Sequence, residues 1–281
     1  MTLSAPIAPQ KDRLLALAKS RYRSDRNLSG EWNEALGAIL SHRSVRDYLP
    51  HALPEHMIEL AIAAAQSAPS SSNLQAWSVI VVEDKHIKDR LNSVAGNQRQ
   101  IAQAPLVLVW LADLARPRDI AETRGGTADG LDYVESFLLG VVDAALAAQN
   151  AVVALESLGF GTCYIGAIRN DPETVARELC LPDGVFPVFG LTVGYPDPAK
   201  PADVKPRLGQ ETIVHRNRYN PGAHRAALDA YNKALGTFQA EQGMPRIDWT
   251  EQVGNRIGTV AALKGRHALK RVIRKLGFAL K

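Results

Sequence analysis

The chain has 281 residues but only two cysteines, Cys163 and Cys180. That excludes a disulfide framework, and it excludes a zinc or iron–sulfur site built from several thiolates. It also suits a reducing, cytoplasmic compartment. Nucleotide loops are missing too. Gly159, Gly161 and Gly166 do not fit G-x-G-x-x-G, and no G-x-x-x-x-G-K-[ST] occurs. The seven histidines form no H-E-x-x-H pair, and there is no G-x-S-x-G elbow. Neither cysteine has a sequence neighbour that marks a nucleophile, so both read as buried structural thiols. No internal repeat and no low-complexity tract is present. Lys11, Asp12 and Arg13 fall where a signal peptide needs an apolar run, so no targeting segment is expected. With nucleophile, metal and nucleotide loop all missing, any chemistry falls to a bound cofactor.

What is present is an ordinary globular composition, 46% hydrophobic and 22% charged, in a chain long enough for a sizeable core. The net charge of +4 is unevenly spread. Eight basic residues and no acidic one lie between Arg256 and Lys281, and the rest holds 25 basic against 29 acidic residues. A globally basic nucleic-acid binder is therefore not expected. The longest apolar stretch, Gly130 to Leu158, is interrupted by Asp132, Glu135, Asp143 and Glu156. It reads as a long core helix rather than a membrane span.

Periodicity predicts helices over 10–23, from Pro54 to before Pro69, over 84–95, 131–158 and 171–179, and over 222–241 and 259–280. A linker is expected over 25–30. Short β-rich runs predict strands over 77–82, 105–112, 161–165 and 185–194, with Pro187 suggesting an edge or a strand start. The interleaving by itself suggests a doubly wound sheet.

Three patches could carry chemistry. The first is His42-Arg43-Ser44-Val45-Arg46, echoed far along the chain by Lys205-Pro206-Arg207. Guanidinium forks suit phosphate, and the alternative is two solvated basic turns. The second is Ser70-Ser71-Ser72-Asn73-Leu74-Gln75, either a polar ligand-binding loop or a Ser-rich linker. The third is Gly159 to Arg169, where Gly166 would let a planar ligand approach the backbone; the alternative is a helix C-cap followed by a strand-ending glycine.

Taken in order, these patches resemble the FMN-dependent nitroreductase family, and within it the group of oxygen-insensitive NADPH nitroreductases and NADPH–flavin reductases. The stretches that carry the resemblance are HRSVRDY at 42–48, SSSNLQ at 70–75, GNQRQIAQAP at 96–105, LLGVVDAALAAQNAVVALESLGFGTCYIGAIRN at 138–170, LPDGVFPVFGLTVGYP at 181–196 and VKPRLGQETIVHRNRY at 204–219. The resemblance implies an α+β fold, with a mixed central sheet flanked by helices and a long buried helix at the core of a homodimer. It implies an enzyme that takes hydride from NAD(P)H, NADPH foremost, onto FMN and passes two electrons to nitroaromatics, quinones or free flavin in a ping-pong cycle.

By position, His42, Arg43, Ser44 and Arg46 would bind FMN, Arg46 beside the pyrimidine edge. Lys205 and Arg207 would meet the phosphate and ribityl end. Ser70, Ser71, Ser72, Asn73 and Gln75 would line the cofactor, partly from the other subunit, and Gln98 would reach its polar edge. Tyr164 and the backbone at Ile165, Gly166 and Ala167 would face N5 and O4, with Ala167 standing where the family often has a second glycine. The implied division is an N-terminal helical extension over 1–38, an FMN-binding core over 39–220, and a C-terminal helical extension over 221–281 with a basic tail.

That tail places Leu269, Val272, Ile273, Leu276 and Leu280 on one face and Lys270, Arg271, Arg274 and Lys275 on the other. It reads as a docking helix, as cations around Arg246 and Arg266 for the NADPH 2′-phosphate, or as a membrane-surface helix. Two further readings of the whole chain stand beside the main one. One is a dehydrogenase or dehalogenase of the same fold, and the other a non-catalytic flavin-binding redox sensor.

Overall fold

The computed structural model describes residues 10–24, 28 and 30–281. In chain order the elements are α1 (Gln10–Tyr22), α2 (Glu34–Leu40), α3 (Glu55–Gln66), β1 (Trp77–Val82), α4 (Lys85–Val94), α5 (Arg99–Gln103), β2 (Leu106–Asp113), α6 (Ala115–Thr123), α7 (Val134–Ser157), β3 (Gly161–Ile165), α8 (Pro172–Glu178), β4 (Val185–Gly194), α9 (Gln210–Ile213), α10 (Leu228–Glu241), α11 (Trp249–Ile257) and α12 (Leu269–Lys275). They divide into two units. One comprises the residues up to Arg43 with Ala202–Ala262, and the other Ser44–Pro201 with Leu263–Lys281.

The second unit is built on a sheet of order β1-β2-β4-β3 whose three strand pairings are all antiparallel. Among the described residues, the parallel component expected of a mixed sheet is confined to one bridge, Ser44 to Thr162. This excludes the doubly wound arrangement. β2 is buried at every position because both faces of the sheet are covered. Leu106, Leu108 and Trp110 pack with Met57, Ile58 and Ala61 of α3 and with Ala148, Val152 and Leu155 of α7. The alternating Val107, Val109 and Leu111 pack with Leu91, Ile101, Ile165 and Val175 on the other face. α7 is long and apolar enough by length and composition to cross a membrane. One side of it nevertheless packs on this sheet and carries the buried carboxylate of Asp143.

Pro187 lies near the start of β4, where the strand is paired on one side only, and the β2–β4 register slips there between Trp110 and Leu111. β3 covers only Gly190–Gly194 of β4, so it asks for no ladder bond from residue 187.

The tail is a correction. The helix expected over 259–280 is broken into two 3-10 turns and the short α12, because Lys264 and Gly265 take positive φ. The tail docks all the same. Ile273 and Phe278 are buried beside Phe186 and Val188, and Arg271 and Lys275 pair with Glu173. Cys163 is buried as expected, whereas Cys180 is exposed. Helices α2, α5, α6, α9 and α11 were not expected from periodicity; α5 and α9 are a turn or so long. The linker expected over 25–30 lies largely outside the described residues.

Candidate active site

In the second unit, residues 44–49 are fastened along the outer edge of β3 and the end of β4. The Val45 N–H donates to the Thr162 carbonyl at 2.9 Å, and the Leu49 N–H to the Tyr195 carbonyl at 2.9 Å. Two glycines make this approach possible. A Cβ on Gly161 would lie 2.7 Å from Val45, and one on Gly194 2.8 Å from the Tyr48 ring. The Tyr48 hydroxyl donates to the Val45 carbonyl and lies 2.8 Å from Thr192 Oγ1. Burial pushes that phenol well above its ordinary value.

The single carboxylate of this motif is neutralised from elsewhere. Asp47 pairs with Arg99 at 2.8 Å and with Lys200 at 3.4 Å. Arg46 stays exposed and, among the described residues, donates only to the Ser44 carbonyl, at 3.3 Å. Just inside β3, burial pushes the Cys163 thiol up, with the Arg46 charge opposing, so the thiol is held in its unreactive protonated form.

β3 ends at Ile165, and a 3-10 turn, Gly166–Asn170, follows at once. The N–H groups that open such a turn have no intrahelical partner. Tyr164 is partly exposed, with its ring edge-on to Phe189 and its hydroxyl on Gln149. Gln98 caps α5. Its amide donates to the Ala95 carbonyl at 3.0 Å and its oxygen accepts from Gln100 at 2.7 Å.

The loop 70–76 bends through three positive-φ residues, Ser72, Asn73 and Gln75. Such backbone persists only where its surroundings over-determine it. Asp143 of α7 does this, being 2% exposed. Its carboxylate accepts from the Ser70 hydroxyl at 2.7 Å, the Ser71 N–H at 3.2 Å and the Ala76 N–H at 3.1 Å. From the other side, Arg116 donates to the Gln75 and Trp77 carbonyls at 2.6 and 2.7 Å. Asp143 and Arg116 were missed from sequence. The available signal was an acid in the middle of an otherwise apolar helix. Among the described residues, no hydrogen bond joins this loop to Arg46, to Gln98 or to the end of β3.

The first unit holds the other half of the candidates. Arg43 is exposed and donates to the Ser41 carbonyl. Arg207 is exposed and curls onto the Lys205 and Pro206 carbonyls. Lys205 lies against the face of Phe238. Among the described residues, Arg43, Arg46 and Arg207 have no carboxylate partner. A cavity of about 940 Å³ opens between α1, residues 203–211 and α10, with Arg207, Lys19, Lys233, Tyr22 and Tyr231 in its wall. Of the two cations considered for a donor nucleotide, Arg246 lies exposed over Gly236 in this unit. Arg266 belongs to the other unit and donates to Asn170 at 3.0 Å.

Residues 39–195 match the nitroreductase family, and residues 205–281 match the C-terminal domain of the nitroreductase family. The chain is 38% identical over 228 residues to an FMN reductase (NADPH) of Bacillus subtilis, covering 79% of this chain and 91% of the relative. It is 40% identical over 223 residues to a Cr(VI) reductase of a Pseudomonas species, covering 77% and 89%. Among solved structures, B. megaterium NfrA2 superposes with a TM-score of 0.83 at 36% identity, over 89% of this chain and all of the other. Extending over both units, these matches show that the chain belongs to the nitroreductase family.

Proposed function

We propose that this chain is an FMN-dependent oxidoreductase that takes reducing equivalents from NADPH or NADH and delivers them to small-molecule acceptors such as nitroaromatics, quinones or free flavin. The observation that carries the reading is three exposed guanidinium groups, Arg43, Arg46 and Arg207, with no carboxylate partner among the described residues. Guanidinium and ammonium groups suit a dianionic phosphate. Serine hydroxyls and side-chain amides suit the polar edge of a flavin ring. The donor set present therefore fits FMN. The FMN reductase and Cr(VI) reductase relatives speak for a reductase. They do not favour the dehydrogenase, dehalogenase or non-catalytic readings.

Bound FMN supplies the two-electron chemistry, accepting hydride from the nicotinamide donor and releasing it to the acceptor. The chain's own residues bind and bias. Lys205, Arg207 and Arg43, with His42, hold the phosphate and ribityl end. Arg46, with Ser44, places a positive charge beside the pyrimidine edge, where negative charge develops. Ser70, Ser71, Ser72, Asn73 and Gln75 line the ring, and the second amide hydrogen of Gln98 reaches its polar edge. Tyr164 and the backbone of Ile165, Gly166 and Ala167 face N5 and O4. Arg246 and Arg266 attract the 2′-phosphate of NADPH.

The same reading makes the protein a cytoplasmic homodimer. α7 turns Val134, Leu138, Val142 and Leu146 outward, and Leu60 of α3 and Leu158 are exposed as well. An apolar stripe of this kind suits a second copy of the chain, which would also contribute the 70–75 loop. Residues 1–38 then form a helical extension, 39–220 the flavin-binding core and 221–281 the C-terminal extension.

Steady-state oxidation of NADPH by the FMN-loaded protein, with a quinone or nitroaromatic as acceptor, tests the reading. Parallel double-reciprocal lines are expected as donor and acceptor are varied. Turnover no faster than with free FMN would overturn it.

A further inference from the structure

α1 precedes the part of the chain that matches the nitroreductase family, which begins at residue 39. Its last turn nevertheless reaches the stretches on either side of the proposed phosphate site. Arg21 is only 8% exposed. Its guanidinium donates to the Lys205 carbonyl at 2.9 Å, the Leu40 carbonyl at 2.9 Å and the His42 carbonyl at 3.0 Å. Its own carbonyl accepts from the Arg207 N–H at 2.9 Å. One residue thus ties 40–42 to 205–207 within a single unit.

We infer that Arg21 is a positioning residue for the FMN phosphate, an inference that rests on the proposed FMN-dependent function. A guanidinium presents a rigid planar fork of donors, so three carbonyls bound to it are fixed relative to one another. Bonds from a charged donor are stronger than neutral ones, and burial strengthens them further. Two of the carbonyls it takes up belong to Lys205 and His42 of the proposed phosphate site, and its own carbonyl holds the Arg207 N–H. The side chains of Lys205 and Arg207 therefore project from an immobilised backbone. Tyr231 of α10 donates to the Pro206 carbonyl at 3.0 Å, so the Lys-Pro-Arg stretch is held from two helices. Arg21 does not itself touch the ligand in this account. It lowers the ordering cost of the groups that do.

Riboflavin, which lacks the phosphate, separates this role from a general structural one. Apoprotein of Arg21→Ala, Arg21→Lys and Arg207→Ala is titrated with FMN and with riboflavin, following flavin fluorescence, with thermal melts alongside. For Arg21→Ala the FMN Kd is expected to rise roughly tenfold and the riboflavin Kd by no more than about threefold, so the preference for FMN falls. Arg21→Lys keeps the charge but not the fork, and is expected to fall between wild type and Arg21→Ala. If the alanine variant does not fold, the lysine variant decides by the same ratio. A preference unchanged on substituting Arg21 but lost in Arg207→Ala would overturn the inference and leave the phosphate reading standing. Equal weakening of both flavins would also overturn it. A preference unchanged even in Arg207→Ala would overturn the phosphate reading together with the inference.

Discussion

Two irregular stretches each carry a share of the proposed cofactor contacts, and the buried charges that gather them are of opposite sign. The loop 70–76 is gathered by Asp143, which accepts from one hydroxyl and two N–H groups. The stretch 205–207 is gathered by Arg21. A carboxylate consumes donors and a guanidinium consumes carbonyls, so what each stretch leaves for a ligand differs. The first presents exposed hydroxyls and amides, which suit a ring edge. The second presents an exposed lysine and arginine, which suit a phosphate. Both anchors are remote in sequence from what they hold, 67 or more positions for Asp143 and 184 for Arg21 to Lys205.

The most severe way to break the comparison is to delete the acidic anchor. Asp143→Ala leaves the Ser71 and Ala76 N–H groups without their acceptor beside strained backbone. It is expected to cost about 3 kcal/mol, read as a lower urea midpoint. Asp143→Asn keeps one acceptor oxygen and should cost about half as much. An alanine variant as stable as wild type would remove Asp143 from the account.

A third stretch sharpens the contrast, because 44–48 is held by strand-edge hydrogen bonds and close packing rather than by a buried charge. Gly161→Ala would drive a methyl into Val45 and is expected to cost about 1–3 kcal/mol. It should also misplace Arg46, so flavin binding weakens alongside stability. Arg46→Ala removes the cation and leaves the backbone intact. A fall in kcat/KM for NADPH oxidation of roughly tenfold is expected, with the urea midpoint nearly unchanged. Equal losses of activity and stability would place Arg46 in the scaffold instead.

How much of this was legible in the sequence follows the same division. The strands at 77–82, 161–165 and 185–194 could be read to the residue because β-branched and apolar runs stop at glycine or, at 83–84, at acidic residues. The basic motif at 42–46 and the serine loop at 70–75 stood out by composition. Their anchors did not. Asp143 read only as an interruption in an apolar run, and Arg21 as one more cation at the end of an amphipathic helix. Local pattern cannot reveal what a side chain meets so far along the chain. Pro187 pointed to a strand start because a residue without an N–H fits where β4 is paired on one side only. The tail was read as one helix because its apolar spacing runs across Gly265, where the backbone turns left-handed.

The smallest expected effect concerns the docked tail, held by exposed pairs rather than buried ones. The hydrogen bond from Lys275 holds the Glu173 carboxyl below its usual range, and Lys281 does the same to Asp132. A depressed carboxylate stabilises the fold above its unfolded-state pKa, and that contribution is lost as pH falls through the folded-state value. Acidification below about pH 4 should therefore loosen α12 first. Hydrogen exchange at the Gly184 N–H, bonded to the Leu276 carbonyl, reports it directly. Protection unchanged down to pH 3 would show that the apolar contacts of Ile273 and Phe278 suffice.

The central claim is that this chain is a flavin-dependent reductase, and the visible spectrum under anaerobic conditions tests it most directly. The account predicts a flavin spectrum in the purified or FMN-reconstituted protein, bleached rapidly by NADPH and restored by a quinone or nitroaromatic. A protein that stays colourless and takes up no added FMN, or whose flavin NADPH does not bleach, would contradict it.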